Sequence, residues 1–205
     1  MVDTENYVHC DDLEKLPPLH AENYTSETDF LVSVLPKKSR VLQIGSMDGT
    51  RISRLFEQRS DLNLTGLEID HSLVVCARSF LKHHKVPAEI IEGDITAPIE
   101  VVAKGAYDFV ICLNHTLGYI PDQDKAVEMM KQYGKRVVVS VYGEAWTPEL
   151  AQEYFAVLGL LITEVHDDGF LLDDGSVIHR YSRKEVEKWG GKVLPTPLGY
   201  MVFVK

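Results

Sequence analysis

The chain has 205 residues, 45% of them hydrophobic and 25% charged, with a formal net charge of −10. That length supports one well-buried core and is short for two domains, and the composition is that of an ordinary globular protein. The acidic balance disfavours nucleic acid and anionic membrane as partners, because both are gripped by clustered Lys and Arg, and the basic spots at 36–40 and 180–184 are small.

Residues 1–38 form an N-terminal segment with two readings, packing element or lid. Pro17-Pro18 interrupts it, and the pattern predicts a helix over 26–35. Residues 40–44 are a short apolar run ending in glycine, the signature of a buried parallel strand. Helix is predicted over 50–59, strand over 64–69, helix over 71–84, and strands over 88–92 and 108–113. A helix over 121–133 follows, with Pro121 suited to its first turn and Gly134 to its stop. The fifth strand, 136–141, is rich in β-branched residues. After it come a helix over 147–158 and short strands at 161–165, 169–172 and 177–181. Ser182 and Glu185 make a capping box for a helix over 182–189. Strands at 192–194 and 200–204 are joined by too few residues for a parallel crossover, so they form an antiparallel hairpin. Alternating strands and helices imply an α/β fold with a mostly parallel sheet and helices on both faces. The pattern is that of one domain over 1–205, with 147–181 as an insertion on the substrate side.

No apolar run approaches the roughly 20 residues that cross a bilayer, and the first residues lack a signal-peptide pattern. A cytoplasmic location is expected. Cys10, Cys76 and Cys112 are widely separated, and the last two lie in apolar segments as small core residues. No metal site is expected: His83-His84 diverge on a helix, and nothing fixes a ligand geometry around His166, Asp167, Asp168 and His179.

In an open parallel sheet, ligands bind beyond the carboxyl ends of the strands. The first strand ends in Gln43-Ile-Gly-Ser-Met-Asp-Gly49, where Gly45 and Gly49 permit a sharp turn and close approach of a ligand to the backbone. Strand two ends in Glu68-Ile-Asp70. An acid there is placed to accept from ribose hydroxyls, and either carboxylate is a candidate, although Asp70 also suits a helix cap. Asp94 follows strand three, where it reads equally as a turn residue or as an acceptor for an exocyclic amine. Asn114, His115 and Thr116 follow strand four and bring amide, imidazole and hydroxyl groups to the mouth of the crevice.

Together, these motifs at four successive strand ends resemble the class I S-adenosylmethionine-dependent methyltransferases over roughly residues 20–205, with 107–120 similar to the glycine N-methyltransferase-like, small-molecule branch. The resemblance implies a Rossmann-like, seven-stranded sheet and S-adenosyl-L-methionine as cofactor. It implies cofactor contacts from Gln43, Gly45, Ser46, Met47, Gly49, Glu68, Ile69, Asp94, Ile95 and Asn114, with Glu68 at the ribose and Asp94 at the adenine. Two residues depart from the family pattern: Gln43 stands for the usual acid of the loop, and Met47 for its middle glycine.

Methyl transfer from such a donor needs alignment and exclusion of water more than it needs a strong base. His115 and Tyr119 are the candidate catalytic residues. His115 has two readings, a base for a hydroxyl acceptor or a backbone-binding histidine. Tyr24, Tyr142 and Tyr181 are candidate acceptor contacts, since aromatic faces hold cationic amines. The acids Asp167, Asp168, Asp173 and Asp174 read as an acidic pocket or as solvated turns. The expected reaction is methylation of an amine or hydroxyl on a small soluble molecule by a monomer or homodimer. The rival readings are an NAD(P)-dependent oxidoreductase and a non-catalytic adenosyl-binding protein.

Overall fold

The computed structural model describes residues 13–204; Cys10 lies outside them. The elements in order are α1 (Pro18–Val34), β1 (Arg40–Ile44), α2 (Thr50–Gln58), β2 (Asn63–Glu68), α3 (His71–His83), β3 (Glu89–Glu92) and β4 (Phe109–Cys112). A 3-10 turn (Thr116–Tyr119), α4 (Gln123–Tyr133), β5 (Val137–Tyr142), α5 (Pro148–Val157), β6 (Ile162–His166), β7 (Gly169–Leu172) and β8 (Val177–His179) follow. The last are α6 (Arg183–Glu187), β9 (Gly191–Pro195) and β10 (Gly199–Val204).

The main sheet has seven strands in the order β3-β2-β1-β4-β5-β10-β9. β1 to β5 pair in parallel, and β10 runs antiparallel to both β5 and β9. This is the Rossmann-like sheet with its terminal hairpin. Strand alternation divides the core between the two faces. Val41, Phe109 and Ile111 pack with Ile52, Leu55, Val74 and Leu81 on one side. Leu42, Ile44, Val110 and Cys112 pack with Val127, Met130, Tyr133 and Trp189 on the other. A small antiparallel sheet, β6-β7-β8, rests on a third cluster that includes Trp146, Phe155, Phe170 and Leu198. Among the described residues, no helix is long and apolar enough to cross a membrane.

Two helix starts differ from the sequence expectation. Pro17-Pro18 begins a helix where a break was expected: Pro18 occupies the first position of α1, where no amide is needed. Pro121 stays outside α4, whose start moves to Gln123 because the Asp122 side chain accepts from the Lys125 N–H. The strand expected over 177–181 ends at His179, and Ser182 and Glu185 form the full capping box of α6.

The strand order reverses between β1 and β4, which places the ends of these two strands on either side of a crevice. β1 runs directly into Gly45, and β4 into Leu113 and Asn114.

Candidate active site

A cavity of about 620 Å³ opens at the carboxyl ends of β1 to β4, well inside the range of about 300–1,000 Å³ usual for small-molecule sites. It brings together Gln43, Gly45, Met47, Glu68, Ile69, Asp94, Ile95, Asn114 and Tyr119 of the sequence-predicted residues.

The loop after β1 turns at Gly45, whose φ is +67°. A Cβ at this position would lie 2.3 Å from Thr116 Cγ2, so only glycine lets the loop lie against the 3-10 turn. Met47 also has a left-handed backbone, at φ +50°. That conformation costs a non-glycine residue about 1–2 kcal/mol, and the Met47 N–H is held by Glu68 Oε2 at 2.9 Å. Glycine adopts this left-handed conformation without strain, and the Glu68 bond helps to hold methionine in it.

Glu68 is buried. Its Oε1 accepts from the N–H groups of Ile69 at 2.9 Å and Asp70 at 3.1 Å, so its carboxylate is fixed at the cavity wall. Asp70 faces α3: its Oδ1 accepts from the Ser72 N–H, the Ser72 hydroxyl and the Leu73 N–H. The Ser72 hydroxyl bond is the first cause holding its carboxyl below the usual range. The two strand-two acids thus divide the roles left open by the sequence, Glu68 at the cavity and Asp70 at the helix cap. Asp94 lines the cavity while its Oδ1 accepts from the Thr96 N–H and hydroxyl at 2.7 and 2.8 Å. Gln43 is 5% exposed and its Oε1 has no hydrogen-bond partner among the described residues, which leaves a buried acceptor at a cavity-lining residue.

Six sequence-predicted residues do not line this cavity, and packing explains each. Ser46 is buried toward β2, where a Cβ on Gly66 would meet it at 2.6 Å. Gly49 caps α2 with φ +84° against Leu81 and Ala77 of α3. Tyr24 is buried under the Arg51 guanidinium, which lies 3.6 Å above its ring, and lines a separate cavity beside α1. Tyr142 and Tyr181 are buried beside the 3-10 turn and the small sheet. The Tyr142 hydroxyl nevertheless reaches Asn114, donating to its Oδ1 at 2.8 Å.

His115 is the largest correction. It is 1% exposed and stacks on Tyr142 at 4.7 Å, and its Nδ1 accepts from the Tyr142 N–H at 2.9 Å. Burial pulls its pKa down to about 3. It does not line the cavity, and its bond from the Tyr142 N–H is the geometry of the second reading, a histidine bonded to backbone. His20 of α1 is similar: it accepts from Trp146 Nε1–H at 3.0 Å, and burial lowers it to about 4. In the unfolded chain both take up a proton near pH 6.5, and in the fold only far lower. Their contribution is therefore complete above about pH 6.5 and is lost as pH falls toward the folded values. Lowering pH from 7 to 5 is expected to cost roughly 4 kcal/mol through these two groups, read as a fall in urea midpoint. A midpoint that holds steady over that interval would contradict the burial of neutral imidazoles.

Sequence reasoning missed a buried ion pair behind the cavity. Arg51, in the first turn of α2, lines the cavity and donates through Nη1 to Glu27 Oε2 at 2.8 Å. Glu27 is wholly buried on α1 and also accepts from Asn23 Nδ2, the Ser140 hydroxyl and the Asn114 N–H. One carboxylate thus ties α1 to α2, β5 and the end of β4. Also missed was the far wall, built by Tyr154, Leu158, Leu160 and Leu172. Of the four acids weighed in the sequence, only Asp174 reaches the cavity.

Residues 41–136 match the family described as "Methyltransferase domain". A carboxy-S-adenosyl-L-methionine synthase of Nautilia profundicola is 25% identical over 113 residues, which are 55% of this chain and 46% of that protein. The aligned part is thus about half the length of this curated relative. Among solved structures, a SAM-dependent methyltransferase from Aquifex aeolicus superposes with a TM-score of 0.64 at 15% identity, covering 96% of this chain and 97% of the other. A protein from Pyrococcus horikoshii superposes with a TM-score of 0.67 at 18% identity, covering 88% and 90%. Both share the fold described above.

Proposed function

We propose that this protein, whose residues 41–136 match a family described as "Methyltransferase domain", transfers a methyl group from S-adenosyl-L-methionine to an amine or hydroxyl of a small molecule. The observation that carries the reading is the convergence of Gln43, Gly45, Glu68, Asp94 and Asn114 on one cavity at the switch point of the sheet. The name of the Nautilia relative, a synthase of a carboxylated form of the same sulfonium nucleoside, supports an adenosyl-sulfonium ligand.

The residues present fit that ligand. Glu68 offers a fixed carboxylate to the ribose hydroxyls. Asp94 offers an acceptor to the adenine amine, and Ile69 and Ile95 supply apolar faces beside it. The amino-acid end carries both an ammonium and a carboxylate. Gln43 Oε1 is a buried acceptor with no partner among the described residues, suited to the first, and the Arg51 guanidinium is a cation suited to the second.

When bound, the donor supplies a methyl already activated by its positive sulfur, so the protein's work is alignment and exclusion of water. Asn114 is held by Tyr142 on its side chain and by Glu27 on its N–H, which fixes a polar group at the mouth of the crevice. Tyr119 closes the same side from the 3-10 turn, and the apolar far wall keeps water out. Incubation with methyl-labelled donor and a broad panel of amines and hydroxyl compounds tests the activity. Labelled product is the expected result. Binding of the adenosyl ligand without transfer to any acceptor would overturn catalysis and favour a binding role.

A further inference from the structure

The far half of the cavity is built differently from the donor half. Its wall is largely apolar: Ile120, Leu158 and Leu160 are half-buried, and Leu172 and the ring of Tyr154 are buried. Its rim carries two exposed acids from separate elements, Asp122 before α4 and Asp174 in the turn after β7. Each uses one oxygen on a local backbone N–H, Lys125 for Asp122 and Ser176 for Asp174. Neither has an ion-pair partner among the described residues. Among the described residues, Arg51 is the one cationic side chain lining the cavity, and it is tied to buried Glu27 and stacked on Tyr24.

An acceptor entering this half meets hydrocarbon below and uncompensated negative charge at the rim. An anionic acceptor would meet two like charges, with Arg51 already engaged by Glu27 and assigned above to the carboxylate of the donor. A neutral polar one would leave the apolar wall unused. We infer that the acceptor is an amine that is cationic in water and carried on an apolar body, with its hydrocarbon against Leu158, Leu160 and Leu172 and its charge drawn in by Asp122 and Asp174. This rests on the donor-site reading above.

The balance of the reaction follows from that class. The ammonium form sheds one proton to solvent at the rim. The freed nitrogen lone pair then forms the new bond to the methyl carbon, and the carbon–sulfur electron pair returns to sulfur. The sum is one ammonium and one sulfonium giving one methylated ammonium, one neutral thioether and one proton.

The test uses matched probes on one skeleton: phenethylamine, phenethyl alcohol and phenylacetate, titrated into full-length protein saturated with S-adenosylhomocysteine. The expected result is that the amine binds about tenfold tighter than the alcohol, and the carboxylate weakest. Asp122→Asn combined with Asp174→Asn keeps both local backbone acceptors, since asparagine also caps helices and turns. This double variant is expected to abolish the preference for the amine while leaving alcohol and S-adenosylhomocysteine affinities unchanged. Equal or tighter binding of the carboxylate, no binding by any of the three, or an amine preference that survives in the double variant would each overturn the inference. If S-adenosylhomocysteine itself fails to bind, the donor-site reading falls and this inference with it. If it binds and the amine preference is missing, only the acceptor class is wrong.

Discussion

Glu68→Ala is expected to weaken S-adenosylhomocysteine binding by about a hundredfold or more. Hydrogen bonds to a charged acceptor are worth about 1.5–3 kcal/mol each, and two ribose hydroxyls therefore account for that factor. The carboxylate also holds the Met47 N–H, so its loss releases a residue from a left-handed conformation at the cavity wall. Glu68→Gln keeps an oxygen acceptor and should fall between the two. Asp70→Ala provides the contrast: it removes the cap of α3 and is expected to cost about 1 kcal/mol of stability, with affinity nearly unchanged. Calorimetry on the two alanine variants separates the roles. A large affinity loss in Asp70→Ala with little in Glu68→Ala would reverse the assignment.

Glu27→Ala is expected to be the most destabilising of the changes considered. It leaves the 4% exposed Arg51 without its carboxylate and removes the acceptor used by Asn23, Ser140 and the Asn114 N–H. Breaking one side of a buried ion pair costs about 3–5 kcal/mol, or about 6–20 °C in melting temperature for a chain of this size. Glu27→Gln retains two polar atoms for the neighbours and should cost less. Because Arg51 also lies against the Tyr24 ring, part of its charge remains compensated in either variant. A melting temperature within about 2 °C of the parent for Glu27→Ala would show that the pair contributes no net stability.

The parts of the site visible in the sequence are those fixed by strand ends. Gly45, Glu68, Asp94 and Asn114 each follow a short apolar run, and a parallel sheet aligns all such ends on one side. Their shared cavity therefore followed from chain order alone. The hairpin of β9 and β10 was visible for a similar reason, since its connection is too short for a crossover. Side chains whose setting depends on distant cover were not visible. Tyr142, Tyr181 and His115 also sit at or beyond strand ends, but Tyr142 is buried with residues of α5 and the small sheet, Tyr181 with Val186 and Trp189, and His115 against the rings of Tyr142 and Trp146. The Glu27–Arg51 pair joins residues 24 apart on two helices, and nothing local in either helix marks it. Leu158, Leu160 and Leu172 carried only the periodicity of ordinary core residues, and their place at the cavity comes from the way β6 to β8 fold back. Pro17-Pro18 is ambiguous by nature: proline ends one helix and starts another, and here the chain that follows decides.

The central claim is that the crevice at Gln43–Gly49 holds an adenosyl sulfur compound and not a dinucleotide. Calorimetric titration of the wild-type protein with S-adenosylhomocysteine and, separately, with NAD tests it most directly. The expected result is saturable one-to-one binding of S-adenosylhomocysteine and no heat beyond dilution from NAD. Saturable binding of NAD with none of S-adenosylhomocysteine would contradict it.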